Sequence, residues 1–315
     1  MPLGLKSEKM ISLIYKIYSK KFSNELLDQY FYRLIIWVAN YFLPIYFRMT
    51  GWAVKKLDSR KVLNKTLIVS LTSFPARINK VWLTIETILR QKEKPNQIFL
   101  WLYKDEFKGK TSLPQNLLRL EKRGLEIRFC DENLKSHLKY YYSMLLNPEA
   151  NIVVVDDDMI YPSDLIEKLK LFHVKYPQAI ISTMSRKIEV LNFNIKPYND
   201  WEYIKENTPP SFSTLLMGCG STFYPSSPFI REVFNTKAIK EIALSADDLW
   251  LQIMSVKSNR KIVCIAGEYK RLFFIPVKRK NNINLMDINM REGRNDVILE
   301  KLINNYQISL SVFTK

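Results

Sequence analysis

Between Lys65 and Ser182 the chain alternates short apolar runs with segments whose apolar residues recur every three or four positions. Thr66–Leu71 (TLIVSL), Gln97–Tyr103 (QIFLWLY), Leu125–Cys130 (LEIRFC) and Asn151–Val155 (NIVVV) have the length and apolar density of buried strands. Ala76–Gln91 carries Ile78, Val81, Trp82, Ile85, Ile88 and Leu89 close to helical period, and Pro95 follows as a stop. Pro114–Arg123 predicts a helix with Pro114 early and Gly124 just past its end. His137–Leu146 predicts another, closed by Pro148. Ser163 is placed to cap a helix with apolar positions at Leu165, Ile166, Leu169 and Phe172, and Ala179–Ser182 is the next strand. Repeated strand–helix–strand units predict an α/β fold, a mostly parallel central sheet with helices on both faces. Beyond Lys187 the rhythm breaks. Asn192–Ser213, with Pro209 and Pro210, reads as a long loop; a helix from Asp247 to about Val256 and a strand around Ile262–Ala266 follow.

The first residues have a different texture. Tyr30–Phe47 (YFYRLIIWVANYFLPIYF) is dense in aromatic and aliphatic side chains, but only Leu34–Phe47 is free of charge and Pro44 interrupts it. A spanning helix needs about 20 apolar residues, so this stretch is short for one. Rings beside Arg33, Arg48, Lys55 and Lys56 suit helices lying in the plane of a membrane surface. The other reading is a cap on the following domain or a contact between copies. A boundary near Lys61 separates an N-terminal helical segment, residues 1–61, from a catalytic domain, residues 62–315.

Charge sharpens this division. The net charge is +17 over 315 residues, and Met1–Lys65 holds twelve Lys or Arg against four acids, a net of +8. Such a segment seeks a polyanion, either nucleic acid or an anionic bilayer. A basic nucleic-acid-binding protein is the alternative class, but no RNA- or DNA-binding signature is present. Hydrophobic residues at 47% and charged residues at 25% exclude disorder of the whole chain. Cys130, Cys219 and Cys264 are widely spaced and only two histidines occur, which argues against a zinc site and for reduced thiols. Lys16, Lys20 and Lys21 break up the apolar residues before a signal-peptide core can form. The expected location is therefore the cytoplasm, at the inner face of the cell membrane.

Asp156-Asp157-Asp158, directly after the apolar run Ile152–Val155, is the most informative cluster. In extended chain, residues two apart point to one side, so Asp156 and Asp158 are expected to converge. Two carboxylates about 4 Å apart repel by roughly 4 kcal/mol at an effective dielectric near 20, so protonation, solvent or a cation must offset them. A hard divalent ion completed by substrate phosphates is one such cation, and a solvated acidic turn is the plain alternative. No G-x-x-x-x-G-K-[ST] loop exists, and no G-x-G-x-x-G follows the first strand, which excludes P-loop and dinucleotide chemistry.

Taken in order, SLTSFPARI (Ser70–Ile78), VWLTIETILRQ (Val81–Gln91), LEIRFCDE (Leu125–Glu132), KYYY (Lys139–Tyr142), VVVDDDMIYP (Val153–Pro162), ADDLW (Ala246–Trp250) and INMREGRND (Ile288–Asp296) resemble bacterial glycosyltransferases of surface-polysaccharide synthesis. The resemblance runs from about Lys65 to Leu302. It implies a GT-A (Rossmann-like) fold that moves a sugar from a nucleotide-sugar, of the UDP type, to a saccharide or lipid-linked acceptor with Mn²⁺ or Mg²⁺. A catalytically inactive relative acting as a scaffold is the further alternative.

The resemblance also implies roles. Thr72, Ser73 and Arg77 would meet the donor nucleotide, with Lys139 as a second phosphate contact. Asp156 and Asp158 match the D-x-D motif and would take the metal, while Asp157 would reach the donor ribose or sugar. Asp248, with Asp247 beside it, would be the general base of an inverting displacement, although two acids at a helix N-terminus are also favoured by the helix dipole. Gly218 and Gly220 in MGCGS would let the acceptor approach the backbone, and Trp201 and Trp250 would offer flat faces to a sugar ring. One departure stands out. The last histidine is His173, so the late histidine that many GT-A enzymes use as a metal ligand has no counterpart.

Overall fold

A computed structural model describes residues 8–58, 65–278 and 293–314. Its centre is a seven-stranded sheet. The strands are β1 (Leu67–Thr72), β2 (Gln97–Tyr103), β3 (Leu125–Cys130), β4 (Asn151–Val155), β6 (Ile180–Ser182), β11 (Ser221–Tyr224) and β12 (Ile262–Cys264), in the order β12-β6-β11-β4-β1-β2-β3. All neighbours are parallel except β11, which runs antiparallel to β4 and β6. Small pairs complete the strands: β5 (Met159–Ile160) with β13 (Ile275–Pro276), β7 (Ser185–Lys187) with β10 (Thr214–Leu216), and β8 (Val190–Leu191) with β9 (Asn194–Ile195).

Alternate side chains of one strand feed two cores. Val69, Leu71, Leu100, Val153 and Val155 face a core closed by α1 (Lys9–Tyr18), α2 (Glu25–Thr50), α3 (Val81–Leu89), α4 (Gln115–Leu118) and α6 (Leu165–Lys175). Ile68, Phe99, Trp101, Ile152 and Val154 face the other, closed by α5 (Tyr141–Leu146), α7 (Thr236–Ala238), α8 (Asp247–Lys257) and α9 (Arg294–Tyr306). The period-2 geometry of a strand buried on both sides accounts for the continuous apolar runs. The expected α/β fold is the observed one.

Several local readings change. Pro44 does not break α2, which continues through it to Thr50. The helix expected over Pro114–Arg123 is one turn of α-helix followed by a 3₁₀ stretch, Arg119–Arg123, ended by Gly124 at φ +113°. The hydroxyl of Ser163 pairs with that of Ser12, and Asp164 is the N-cap of α6 instead. The long loop Asn192–Ser213 carries β9, the second strand of the β8–β9 hairpin, and bridges from Asn207 and Ser211 to Ile265 and Ile262, along the edge strand β12.

The N-terminal helices pack onto the α/β body. Ile11, Ile14, Tyr18, Ile36, Ala39, Leu43 and Phe47 are buried in the first core. Arg271 donates to the carbonyls of Tyr18 and Lys20 and forms a two-pronged pair with Asp28. Asn40 donates to Pro276 O and accepts from Lys278 N. Among the described residues no helix is long and apolar enough to cross a membrane. Lys61 itself, at the expected boundary, lies outside the described residues, as do residues 288–292 of the closing motif. Asp296, the end of that motif, accepts from Tyr198 N at 2.6 Å.

Candidate active site

Chain order turns from one side of the sheet to the other between β1 and β4: β2 and β3 extend outward from β1, whereas β4 lies on its opposite flank. Open α/β sheets bind ligands at the carboxyl ends of strands flanking such a reversal. Here Thr72 and Ser73 leave β1, and Asp156–Asp158 leave the neighbouring β4. Because β11 is antiparallel, with Ser221 opposite Val155, the loop Met217–Gly220 enters the same end of the sheet.

Each carboxylate of the triplet has a defined partner. Asp157 is buried: it accepts from Ser73 Oγ at 2.5 Å and from Arg77 Nη1 at 2.6 Å, and Thr84 Oγ1 donates to its carbonyl. The same Arg77 Nη1 lies 3.3 Å from Asp158 Oδ2. Asp156 faces Lys139 Nζ at 3.2 Å. The repulsion expected within the triplet is thus offset by two side-chain cations, one from the turn after β1 and one from the 3₁₀ turn Lys135–Lys139. Asp157 therefore stands beneath Ser73 and Arg77 rather than open toward a donor.

Lys139 joins the two acidic motifs. Its ammonium is 2.9 Å from Asp247 Oδ2 as well as 3.2 Å from Asp156 Oδ1. Burial opposes its charge, but Asp156 and Asp247 outweigh burial and hold its pKa well above the ordinary lysine range. Burial likewise opposes ionisation of Asp247, yet Lys139 keeps that carboxyl below its usual range. Burial raises Asp156, which Lys139 only partly counters. Asp248 receives less relief from Lys139. Burial and the adjacent Asp247 push it up to about 7, with Leu249 N–H its hydrogen-bond donor. The result is an ionised acid, Asp247, beside one that titrates near neutrality.

The glycines of the loop make room for this arrangement. A Cβ on Gly218 would stand 2.5 Å from Lys139 Nζ, and one on Gly220 would stand 2.7 Å from Thr183 Oγ1 and 2.9 Å from Met184 Cβ. Between them, burial and then Asp156 and Asp248 push the Cys219 thiol up to about 12, so it stays protonated. Trp201 and Trp250 are not available as sugar platforms. Both are buried, at 2% and 0% exposure, with their indole N–H groups bound to the carbonyls of Lys196 and Val233. Large rings with one satisfied polar edge are core material here.

One residue escaped the sequence reading. Tyr161, fully buried, accepts from Asp156 N and donates to Gly220 O, fastening the triplet to the glycine loop. Its position three residues after Asp158, inside VVVDDDMIYP, was the available signal. His137 must donate from Nε2 to Ala243 O, which leaves Nδ1 to accept from Tyr140 Oη. Burial lowers its pKa, so it serves as a neutral strut under Asp247.

Among the described residues no group of three or more His, Cys, Asp or Glu is gathered for a metal. What remains is Asp156 and Asp158. Two carboxylates fit a hard divalent ion whose shell is completed by phosphate and water, and they do not form a closed protein cage.

No family model and no curated protein matches the chain. Among solved structures, the fold is similar to S. aureus TarS 1–349, at 14% identity and TM-score 0.43 over 65% of this chain. The match covers 59% of that chain. A mannosyltransferase from Pyrobaculum calidifontis, PcManGT, in complex with GDP-Man and Mn²⁺, is similar at 13% identity and TM-score 0.47, over 86% of this chain and 74% of its own. So is 4-diphosphocytidyl-2C-methyl-D-erythritol synthase from Anaerococcus prevotii, at 14% identity and TM-score 0.42, over 75% of this chain and 98% of its own. Likeness at this level concerns the shape of the chain and assigns neither residues nor an activity.

Proposed function

We propose that the chain is a GT-A glycosyltransferase that moves a sugar from a nucleotide-sugar, of the UDP class, to a saccharide or lipid-linked acceptor of bacterial surface polysaccharide. The observation that carries this reading is the bridge made by Lys139 between Asp156 and Asp247, which joins motifs 91 residues apart in sequence at the sheet's switch point. Solvated acidic turns would have no reason to share one buried cation.

In this reading Asp248 is the general base. An acceptor hydroxyl gives its proton to the Asp248 carboxylate as its oxygen bonds to the anomeric carbon. The bond from that carbon to the diphosphate oxygen breaks, and the electron pair leaves with the nucleoside diphosphate. Arg77 and Lys139 are the cations available to the diphosphate, with Thr72 and Ser73 beside them at the end of β1. Asp156 and Asp158 are the residues that would hold Mn²⁺ or Mg²⁺, which would supply further positive charge to the diphosphate. An acid titrating near 7 is matched to proton abstraction at neutral pH, which favours inversion.

Thermal melting with a panel of UDP-, GDP-, CMP- and dTDP-sugars, with Mn²⁺ and with EDTA, tests the proposal. A ligand at a hundredfold its Kd should stabilise the fold by about 2.7 kcal/mol. The shift should require metal and be lost in Asp158→Asn, with circular dichroism showing the variant folded. If no nucleotide-sugar shifts the wild type and none is turned over, the reading is wrong.

A further inference from the structure

The 26-residue helix α2 buries one stripe, Ile36, Ala39, Leu43 and Phe47, in the first core. On a surface helix the opposite side should be polar. Here it is Leu27, Leu34, Val38, Tyr41, Ile45 and Met49, whose exposures run from 38% at Val38 to 69% at Met49. Tyr30, Trp37 and Phe42 flank the stripe, and Trp52, just beyond the helix, is 87% exposed. With Leu26, eleven of the 23 exposed large apolar residues among those described lie in this one stretch. Apolar patches beyond a few hundred Å² on a soluble protein mark an interaction surface.

The rim of the patch selects its occupant. Arg33 and Arg48 project from its sides, Lys55 and Lys56 lie past its C-terminal end, and Lys20 and Lys21 lie before its start, all exposed. Against these stand Glu25, Asp58 and Asp28, the last already paired with Arg271. A second copy of a chain of net charge +17 would bring like charges together around the contact. An anionic bilayer meets both features at once: acyl chains take the apolar stripe, rings sit at headgroup level, and lipid phosphates meet the cations. A cleft of about 830 Å³ beside the residues that precede α2 is lined by Lys20, Lys21, Lys205 and Lys270 against one acid, Glu206, so its lining is net positive.

We propose that α2 is a membrane-docking element, lying in the plane of an anionic phospholipid surface with its Leu27–Met49 stripe in the headgroup and acyl boundary. It does not span, since its inner stripe is already committed to the core and no described helix qualifies as a span. The proposal is independent of the transferase reading, because vesicle binding needs neither donor nor acceptor.

The test is co-sedimentation of the full chain with vesicles of phosphatidylcholine alone and of phosphatidylcholine mixed with phosphatidylglycerol. Binding is expected to the mixed vesicles, to weaken with salt, and to fall at least about tenfold in Leu34→Glu/Ile45→Glu. Arg48→Gln/Lys55→Gln/Lys56→Gln should weaken binding to mixed vesicles while leaving the melting temperature unchanged. Brominated lipid should quench wild-type fluorescence, and Trp37→Phe/Trp52→Phe should lose that quenching. Absence of binding to mixed vesicles overturns the proposal. So does equal binding by the folded Leu34→Glu/Ile45→Glu variant, or a wild-type dimer that this variant dissolves and that ignores vesicles.

Discussion

Asp248 and Asp247 are chemically identical neighbours whose surroundings divide their roles. Lys139 stands 2.9 Å from Asp247, whereas at Asp248 it only partly answers the desolvation of the carboxylate. If Asp248 is the base, the rate should climb with pH along a limb centred near 7, because only the ionised carboxylate accepts a proton. Asp248→Asn should lose about 10²–10⁴-fold in kcat and with it that limb. Stability should move the other way. The folded pKa stands above the ordinary 3.8, so the folded state binds the proton more tightly and wild-type stability falls as pH rises from about 4 to about 7. The Asn variant carries no such cost, and at pH 8 it should melt higher by about 1–2 °C for each kcal/mol relieved. A flat pH–rate profile, or a variant that melts lower at pH 8, would remove Asp248 from the base role.

At the scale of elements, α2 is tied to α3 by a charge cluster rather than by apolar contact alone. Glu86, almost fully buried, takes Arg123 at 2.5 and 3.0 Å and Arg90 at 3.0 Å. The Arg90 guanidinium lies over the rings of Tyr46 and Phe47 on α2, at 5.4 and 4.7 Å. Removing the carboxylate would leave two cations facing each other, one of them with no exposed surface. Glu86→Gln should therefore cost about 3–5 kcal/mol in urea unfolding with the slope unchanged, far more than a surface pair. A loss below 1 kcal/mol would mean the cluster does not hold the seam.

This seam also marks what the sequence could not disclose. β1, β2 and β4 were legible because both faces of each strand are buried, leaving unbroken apolar runs, and the edge strand β3 because its apolar residues alternate with Glu126 and Arg128. The central strand β11 was not, since Ser221-Thr222-Phe223-Tyr224 lies between a glycine loop and Pro225 and becomes a strand only through β4 and β6. The acidic triplet was legible as chemistry, but its charge balance was not. Lys139 and Arg77 reach it from other loops, and no local pattern encodes that meeting. Trp201 and Trp250 misled because composition does not tell a stacking face from a core ring.

The whole molecule makes the N-terminal helices part of the machinery near the site. Tyr15 Oη donates to Ile160 O and accepts from Ile275 N, on the paired strands β5 and β13. Val277, the next residue after β13, donates to the carbonyl of Asp158 at 2.7 Å. A continuous path therefore runs from α1 through the β5–β13 pair to the acidic triplet. A boundary near Lys61 would suggest that the residues before it could be removed without unfolding the rest. The packing argues otherwise: deletion through Asp58 would uncover Ile160 and Phe274, strip Arg271 of its Asp28 partner, and leave β13 without support. Such a chain should collect in the insoluble fraction, or refold with dye-binding apolar surface and no sharp melting transition. Asp28→Asn in the full chain should lower stability by a much smaller amount than the deletion, since Arg271 keeps the Tyr18 and Lys20 carbonyls. Were the truncated chain to melt cooperatively at the wild-type temperature, the helices would be a separate appendage, and the path from α1 to Asp158 would carry no energy.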